Sequence, residues 1–347
     1  MILDQAIRVI VLTTISFIVA FAAAPFWLRF IKKHHFGKQI RPSDDAPVFS
    51  ALHQKKIGTP TGAGVMIWGT VLFLAGLFFL LAKFIGGTWE QFNFVNRAET
   101  YLPLVALTVA AIAGFWDDWL GSIGVGGARG GGLQVRHKAI MYVVLAAVGA
   151  WWFYYRLDWD VLNIPFFGNF EIGRWYIPIF MFIIFASAFS ANETDGLDGL
   201  LGGVSLFAFI ALAVVAFTLG RYDLAIFSGV VIGALLAFLW FNIYPARFFM
   251  GDTGSMSLGI TIGVITMLTN TVLLLPLFAF VLVLESLSVI IQIASRKIRK
   301  KKIFLSSPLH HHFEALGWPE SQVTMRFWII SAVMSAVGLM IFFLART

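Results

Sequence analysis

Cysteine is absent from these 347 residues, which excludes a disulfide framework and thiolate catalysis. Charge is scarce as well, at 12% Asp, Glu, Lys and Arg against about 25% in soluble domains. No polar stretch is long enough for a separate soluble domain, and no repeat of solenoid length is present. The six glycines of 124–132 make a flexible loop. They lack the Gly-Lys-Ser/Thr ending of a P-loop, so a Walker-type nucleotide site is excluded there. The net charge of +7 is modest, and its placement is more informative than its size.

What the chain has is apolar length. Hydrophobic residues make up 59%, and a span needs ~20 of them. Ten segments qualify, near 7–30, 60–84, 101–116, 138–155, 176–191, 199–218, 224–242, 254–270, 272–294 and 325–344. The expectation is a single all-α polytopic integral membrane domain over 1–347 with about ten transmembrane helices. The third span is expected to stop at Asp117-Asp118, and the eighth and ninth are separated by little more than Asn270. The first run resembles a secretory signal at Ala20–Ala24, but its positive charges (Arg29, Lys32, Lys33) follow it. A cleavable signal carries them in front, so a retained first helix is expected.

If the loops alternate, 29–56, 117–138, 243–252 and 296–326 share one side and hold 18 of the 25 Lys and Arg. The positive-inside rule makes that side cytoplasmic and puts both N and C termini outside. All seven histidines fall on the same side.

Four clusters of acids and histidines also gather there: Asp117-Asp118, Asn192–Gly199, Gly251-Asp252 and His310-His311-His312. A carboxylate at the bilayer centre costs roughly 2.5–3.5 kcal/mol, so such groups belong at the water boundary or in a polar cavity and usually mark a site. Adjacent carboxylates favour an intervening cation, and Mg²⁺ takes oxygen ligands from one or two carboxylates plus substrate phosphates. Asp195 and Asp198, spaced i and i+3, would share a face if helical. Asn192, Gly196 and Gly199 suggest a cap and a close backbone approach. Asn242 closes the span before Asp252 and could face the same pocket. Consecutive histidines diverge, which suits anion binding or proton handling better than zinc. Lys55-Lys56 precede the small-residue turn Gly58–Gly62, which includes Thr61, and could meet a phosphate at a helix start. Each feature alone is compatible with a solvated helix end, a cap or an interfacial charge. Jointly they fit phosphoryl transfer at a membrane surface.

The strings Gly58-Thr-Pro-Thr, Gly114-Phe-Trp-Asp-Asp, Asn192-x-Thr-Asp-Gly-Leu-Asp-Gly, Leu239-Trp-Phe-Asn, Phe249-Met-Gly-Asp and Pro308-Leu-His-His-His-Phe-Glu follow one another in order. With them the chain resembles the polyprenyl-phosphate N-acetylhexosamine-1-phosphate transferases over nearly its whole length. The histidine triplet before Phe-Glu, Gly317-Trp318 and Arg326-Phe-Trp-Ile-Ile-Ser make it similar to the phospho-N-acetylmuramoyl-pentapeptide transferases among them. The resemblance implies transfer of phospho-MurNAc-pentapeptide from UDP-MurNAc-pentapeptide to undecaprenyl phosphate, giving lipid I and UMP. It further implies Mg²⁺, a homodimer in the bacterial cytoplasmic (inner) membrane, an active site on the cytoplasmic face, and no nucleic-acid partner.

By the same resemblance, Asp117 is the base toward the lipid phosphate, Asp118 supports it near the metal, and Asp252 with Asp117 holds Mg²⁺. Lys56, Thr61, Asn192, Asp195 and Asn242 line the diphosphate and sugar region, and Lys138 matches a lysine after the acidic loop. Gly196, Leu197, Asp198 and Phe249 match uridine-holding positions. His311, with His310 and His312, orients phosphate. The chain departs from the pattern at Phe189, where asparagine is common, at Glu193, where an apolar residue is usual, and at Gly121, where lysine is usual. Direct attack and a covalent aspartyl intermediate both stay open. A sister enzyme transferring GlcNAc-1-phosphate would share the aspartates, and an ion-coupled transporter would carry its acids at mid-membrane.

Overall fold

Each of the ten apolar segments lies on helix in the computed structural model, which describes residues 2–34, 37, 56, 58–126 and 131–346. In chain order the helices are α1 (Ile2–Lys33), α2 (Val65–Phe84), α3 (Ala98–Ser122), α4 (Val135–Arg156), α5 (Tyr176–Thr194), α6 (Leu200–Thr218), α7 (Tyr222–Asn242), α8 (Asp252–Leu268), α9 (Leu275–Phe278), α10 (Phe280–Ile298), α11 (Leu309–Ala315) and α12 (Glu320–Leu344). Among the described residues, eight of these (α1–α7 and α12) are long and apolar enough to cross a membrane, and α8 is a shorter apolar helix of 17 residues. The ninth expected span is broken: α9 and α10 meet at an 88° bend. Lys55, His35, His53 and residues 127–130 of the glycine loop lie outside the described residues.

Three boundaries differ from expectation. α3 runs on to Ser122, so Asp117 and Asp118 stand inside its last turns. α2 starts only at Val65; before it, Pro60 accepts a hydrogen bond from Phe249 N–H, and Ala63 and Gly64 donate to the carbonyls of Phe249 and Met250. Backbone pairing with a remote segment keeps 60–64 out of the helix where hydropathy alone continues it. Between α4 and α5 a small antiparallel hairpin pairs β1 (Val161–Ile164) with β2 (Gly168–Glu171), Val161 opposite Glu171. Four-residue strands carry too little periodicity to be read from sequence.

The packing follows from small residues, because helices in lipid associate by close contact rather than by hydrophobic exclusion. α7 carries Gly229 and Gly233 one turn apart, and a Cβ at Gly233 would meet Thr13 O at 2.1 Å on α1. Ser16 Oγ donates to Val230 O across that seam, at 2.6 Å. α8 repeats the device with Gly259 and Gly263 against Ser187 and Ala191 of α5. α8 is buried along almost its whole length; Thr261 and Thr266 donate to carbonyls four residues back, while Thr253 Oγ1 donates across to Ala111 O of α3 at 2.8 Å. This buried α8 begins at Asp252, and α3, α5 and α2 pack around it.

Candidate active site

Three helices deliver one knot of charge. Lys138, in the first turn of α4, reaches Asp117 Oδ2 at 2.7 Å and also bonds Asp252 Oδ2. Asn192, in the last turn of α5, donates to Asp252 Oδ1 at 2.8 Å and to Ser255 Oγ at 3.2 Å. Asp117 is buried, and its Oδ1 accepts the backbone N–H of Leu133 beyond the glycine loop. Close helix approach makes this possible: a Cβ at Gly114 would lie 2.2 Å from Asp252 O.

Asp118 acts differently from its neighbour. Its two oxygens accept the N–H groups of Asp252 (2.9 Å) and Thr253 (3.0 Å), which are unsatisfied donors of the first turn of α8. A carboxylate there also complements the helix dipole. Asp118 therefore fixes where Asp252 stands.

A second cluster adjoins the first. Lys56 bonds Asp198 Oδ1 at 2.6 Å and Glu320 Oε1, and lies 5.6 Å from the ring centre of Phe249. Asp198 Oδ2 accepts Ala246 N–H at 2.9 Å, and Glu320 Oε1 also accepts Asp198 N–H at 2.7 Å. Asn242 is buried, accepting from Gly199 N–H (3.0 Å) and donating to Phe248 O (2.8 Å). Its amide ties two loops together. Thr61 is buried in the non-helical run 60–64, whose backbone pairs with Phe249 and Met250. Asp195 and Asp198 do not share a helix face: α5 ends at Thr194, and both acids stand on the turn to α6. That turn closes on Gly199, at φ +74°, a left-handed conformation that glycine adopts freely. Asn192 likewise is no N-cap; it lies inside α5.

The histidines complete the contour. His310 is fully buried, its Nδ1 3.0 Å from Glu285 Oε2 of α10, and its Nε2 has no hydrogen-bond partner. A Cβ at Gly196 would lie 2.2 Å from that Nε2, so the imidazole abuts the turn carrying Asp195, Leu197 and Asp198. His311 Nδ1 pairs with Glu314 at 2.7 Å along α11, and His312 Nδ1 accepts from Leu305 N–H at 3.2 Å. The structure thus joins Asp117, Asp118, Lys138, Asn192 and Asp252 directly, and sets Lys56, Asp198, Asn242 and Phe249 beside them. His311 and His312 bond within their own loop and helix.

Sequence reasoning missed Glu285, Glu314 and Glu320. Glu285 had a signal: it is the lone acid in the apolar run 280–293, and an isolated ionisable group in a span is a site hypothesis by default. Glu320, following Pro319, reads as a helix-start acid and carried none.

Among the described residues no three His, Cys, Asp or Glu side chains form a metal cage. The donor set nevertheless suits Mg²⁺. Asp117 and Asp252 offer hard oxygens from two helices to one shared cation, the Lys138 ammonium. Three carboxylates against one ammonium leave a formal charge of −2, which a divalent ion would neutralise. One or two carboxylates with substrate phosphates is the usual Mg²⁺ arrangement.

A family model described as glycosyl transferase family 4 matches residues 100–270. The chain is 38% identical over 345 residues to a phospho-N-acetylmuramoyl-pentapeptide-transferase of Chloroflexus aurantiacus, covering 96% of this chain and 89% of that protein. Proteins of the same name are similar in Geobacillus thermodenitrificans, at 38% over 336 residues (96% and 97%), and in Caldanaerobacter subterraneus, at 36% over 327 residues (94% and 96%).

Proposed function

The chain belongs to the phospho-N-acetylmuramoyl-pentapeptide transferase family, and on that premise we propose that the knot of Asp117, Asp252 and Lys138 is its transfer site. The reaction is transfer of phospho-MurNAc-pentapeptide from UDP-MurNAc-pentapeptide to undecaprenyl phosphate, giving lipid I and UMP. The observation that carries the site is the convergence of two carboxylates and an ammonium from α3, α8 and α4 at one partly exposed point.

In this reading Asp117 takes the proton of the lipid phosphate, which then attacks the sugar-bound phosphorus of the diphosphate while UMP departs. General-base assistance of this kind contributes ~10²–10⁴-fold. Lys138 sits where negative charge accumulates and keeps Asp117 and Asp252 in register. Asp117 and Asp252 would hold Mg²⁺, which supplies charge neutralisation for the diphosphate and the leaving group. Asp118 positions Asp252 through the backbone of α8. Phe249 offers a ring for the uracil to stack on, with Lys56, Asp198 and Gly196–Leu197 around it. Thr61, Asn192, Asp195 and Asn242 shape the sugar and diphosphate region. His310, His311 and His312, held by Glu285, Glu314 and the backbone, orient phosphate. The chain acts as one catalytic domain, and as a homodimer, in the bacterial cytoplasmic membrane. Its site opens to the cytoplasm and both termini lie outside.

The test is UMP release by purified protein with undecaprenyl phosphate and either UDP-MurNAc-pentapeptide or UDP-GlcNAc. Turnover is expected with the first sugar nucleotide only, abolished by EDTA and restored by Mg²⁺. Preference for UDP-GlcNAc would move the chain to the sister reaction, and full activity in EDTA would remove the metal.

A further inference from the structure

The ends of the helices remote from Asp117 carry a second polar cavity that the transfer reaction does not use. It measures about 350 Å³, and its lining includes Arg8, Arg97, Arg221, Glu90, Glu99 and Asp223. Two of the arginines make only long ion pairs, Arg8 with Asp223 and Arg221 with Glu99, each at 3.4 Å, and Arg8 also donates to Gln5 Oε1. Arg8 Nε is buried with no hydrogen-bond partner. A guanidinium N–H in that state matches a phosphate oxygen, which it binds by a charge-assisted bond. Equal numbers of cations and anions in the lining call for a ligand that carries both signs.

A second cavity lies on the apolar side. It holds about 550 Å³ between α3, α4, α5 and α8, with Leu102, Val105, Val148, Phe153 and Val264 in its wall. That size is within the ~300–1,000 Å³ of ligand pockets. Arg221, in the lining of the polar cavity, stands close to the wall of the apolar one. Its guanidinium donates to Leu268 O at 2.5 Å, one turn beyond Val264, and pairs with Glu99, one turn before Leu102. It also lies 5.5 Å from the ring centre of Trp159, which packs edge-on against Phe153. A charged chamber at the head of an apolar groove has the shape of an amphiphile.

We propose that this end of the molecule binds one phospholipid whose headgroup carries a phosphate and a primary ammonium. The phosphate faces Arg8 and Arg97, the ammonium faces Glu90 and Glu99, and one acyl chain lies in the groove beyond Arg221. A purely anionic headgroup is disfavoured by the three carboxylates of the lining, and a quaternary ammonium cannot donate hydrogen bonds to them.

Native mass spectrometry of the full chain, delipidated in detergent and exposed in turn to phosphatidylethanolamine, phosphatidylglycerol and phosphatidylcholine, tests this. Phosphatidylethanolamine is expected to be retained about tenfold better than either rival, the scale of one charge-assisted contact. Arg97→Gln and Glu90→Gln each remove that preference, and Val105→Trp, which fills the groove, lowers retention of all three lipids. An unchanged melting temperature without lipid separates lost binding from lost fold. Equal retention of the three lipids, preference for phosphatidylglycerol, or indifference to both charge substitutions overturns the proposal.

Discussion

The carboxylates of Asp117 and Asp118 leave neighbouring positions of α3 and meet different partners. Asp117 meets Lys138 and the Leu133 N–H, and Asp118 meets the first backbone donors of α8. Their substitutions should therefore separate. Asp117→Asn keeps the volume and the fold, so UMP release is expected to fall ~10²–10⁴-fold with little change in melting temperature. Asp252→Asn and His311→Ala are expected to follow that pattern. Asp118→Asn replaces one acceptor by an amide that faces an N–H, so it loses stability by about 1–3 kcal/mol together with activity. A thermal melt beside a UMP assay distinguishes the two classes, and equal melting of the Asp117 and Asp118 variants contradicts the division. Glu285 acts through His310: Glu285→Gln can still hydrogen-bond Nδ1 and should retain most of the stability while lowering turnover. Glu285→Ala leaves a buried imidazole without either ring partner and should lose both. Unaltered turnover in Glu285→Gln would mean that the pair is structural only.

At the scale of elements, the start of α8 is the most constrained point. Gly251 stands at φ +73° and ψ 177°, and a Cβ there would lie 2.5 Å from Asp118 Oδ2. Gly251→Ala is expected to cost at least ~1–3 kcal/mol for the backbone alone. It should also displace Asp252 from Lys138, with turnover lost more than KM is changed. A full-activity Gly251→Ala protein would show that the helix start tolerates movement. The spans themselves were legible because each carries its own ~20-residue apolar signal. The extra turns of α3 beyond Asp117-Asp118 were not, because hydropathy falls there while helical hydrogen bonding continues. The bend between α9 and α10 was hidden for the opposite reason: the run 272–294 is apolar throughout, and hydropathy carries no direction.

For the whole molecule, the distribution of Lys and Arg predicts both termini outside. The absence of cysteine makes this directly measurable. Leu3→Cys and Arg346→Cys on the otherwise cysteine-free chain should label with a membrane-impermeant maleimide from outside in intact cells, and Arg299→Cys should label only after permeabilisation. The reverse pattern would invert the topology and place the transfer site on the wrong side for a nucleotide substrate. Of the acids that the motifs singled out, Asp117, Asp118 and Asp252 come together. The pairing was beyond them: Lys56 with Glu320, His310 with Glu285 and Asp118 with the α8 backbone join elements far apart in the chain.

The sequence by itself determined that the chain is a set of apolar spans and which residue types are available for chemistry, and its charge bias predicts the side on which positive charge and histidine gather. Hydropathy and charge bias act within one helix length, so they can be read along the chain. Tertiary structure alone decided which carboxylate faces a lysine and which caps a helix. It also turned Asp195 and Asp198 onto a turn and broke the ninth span. Those outcomes depend on how closely remote helices approach, and the approach is set by contacts such as Gly114 against Asp252 and Gly196 against His310, which no local pattern encodes.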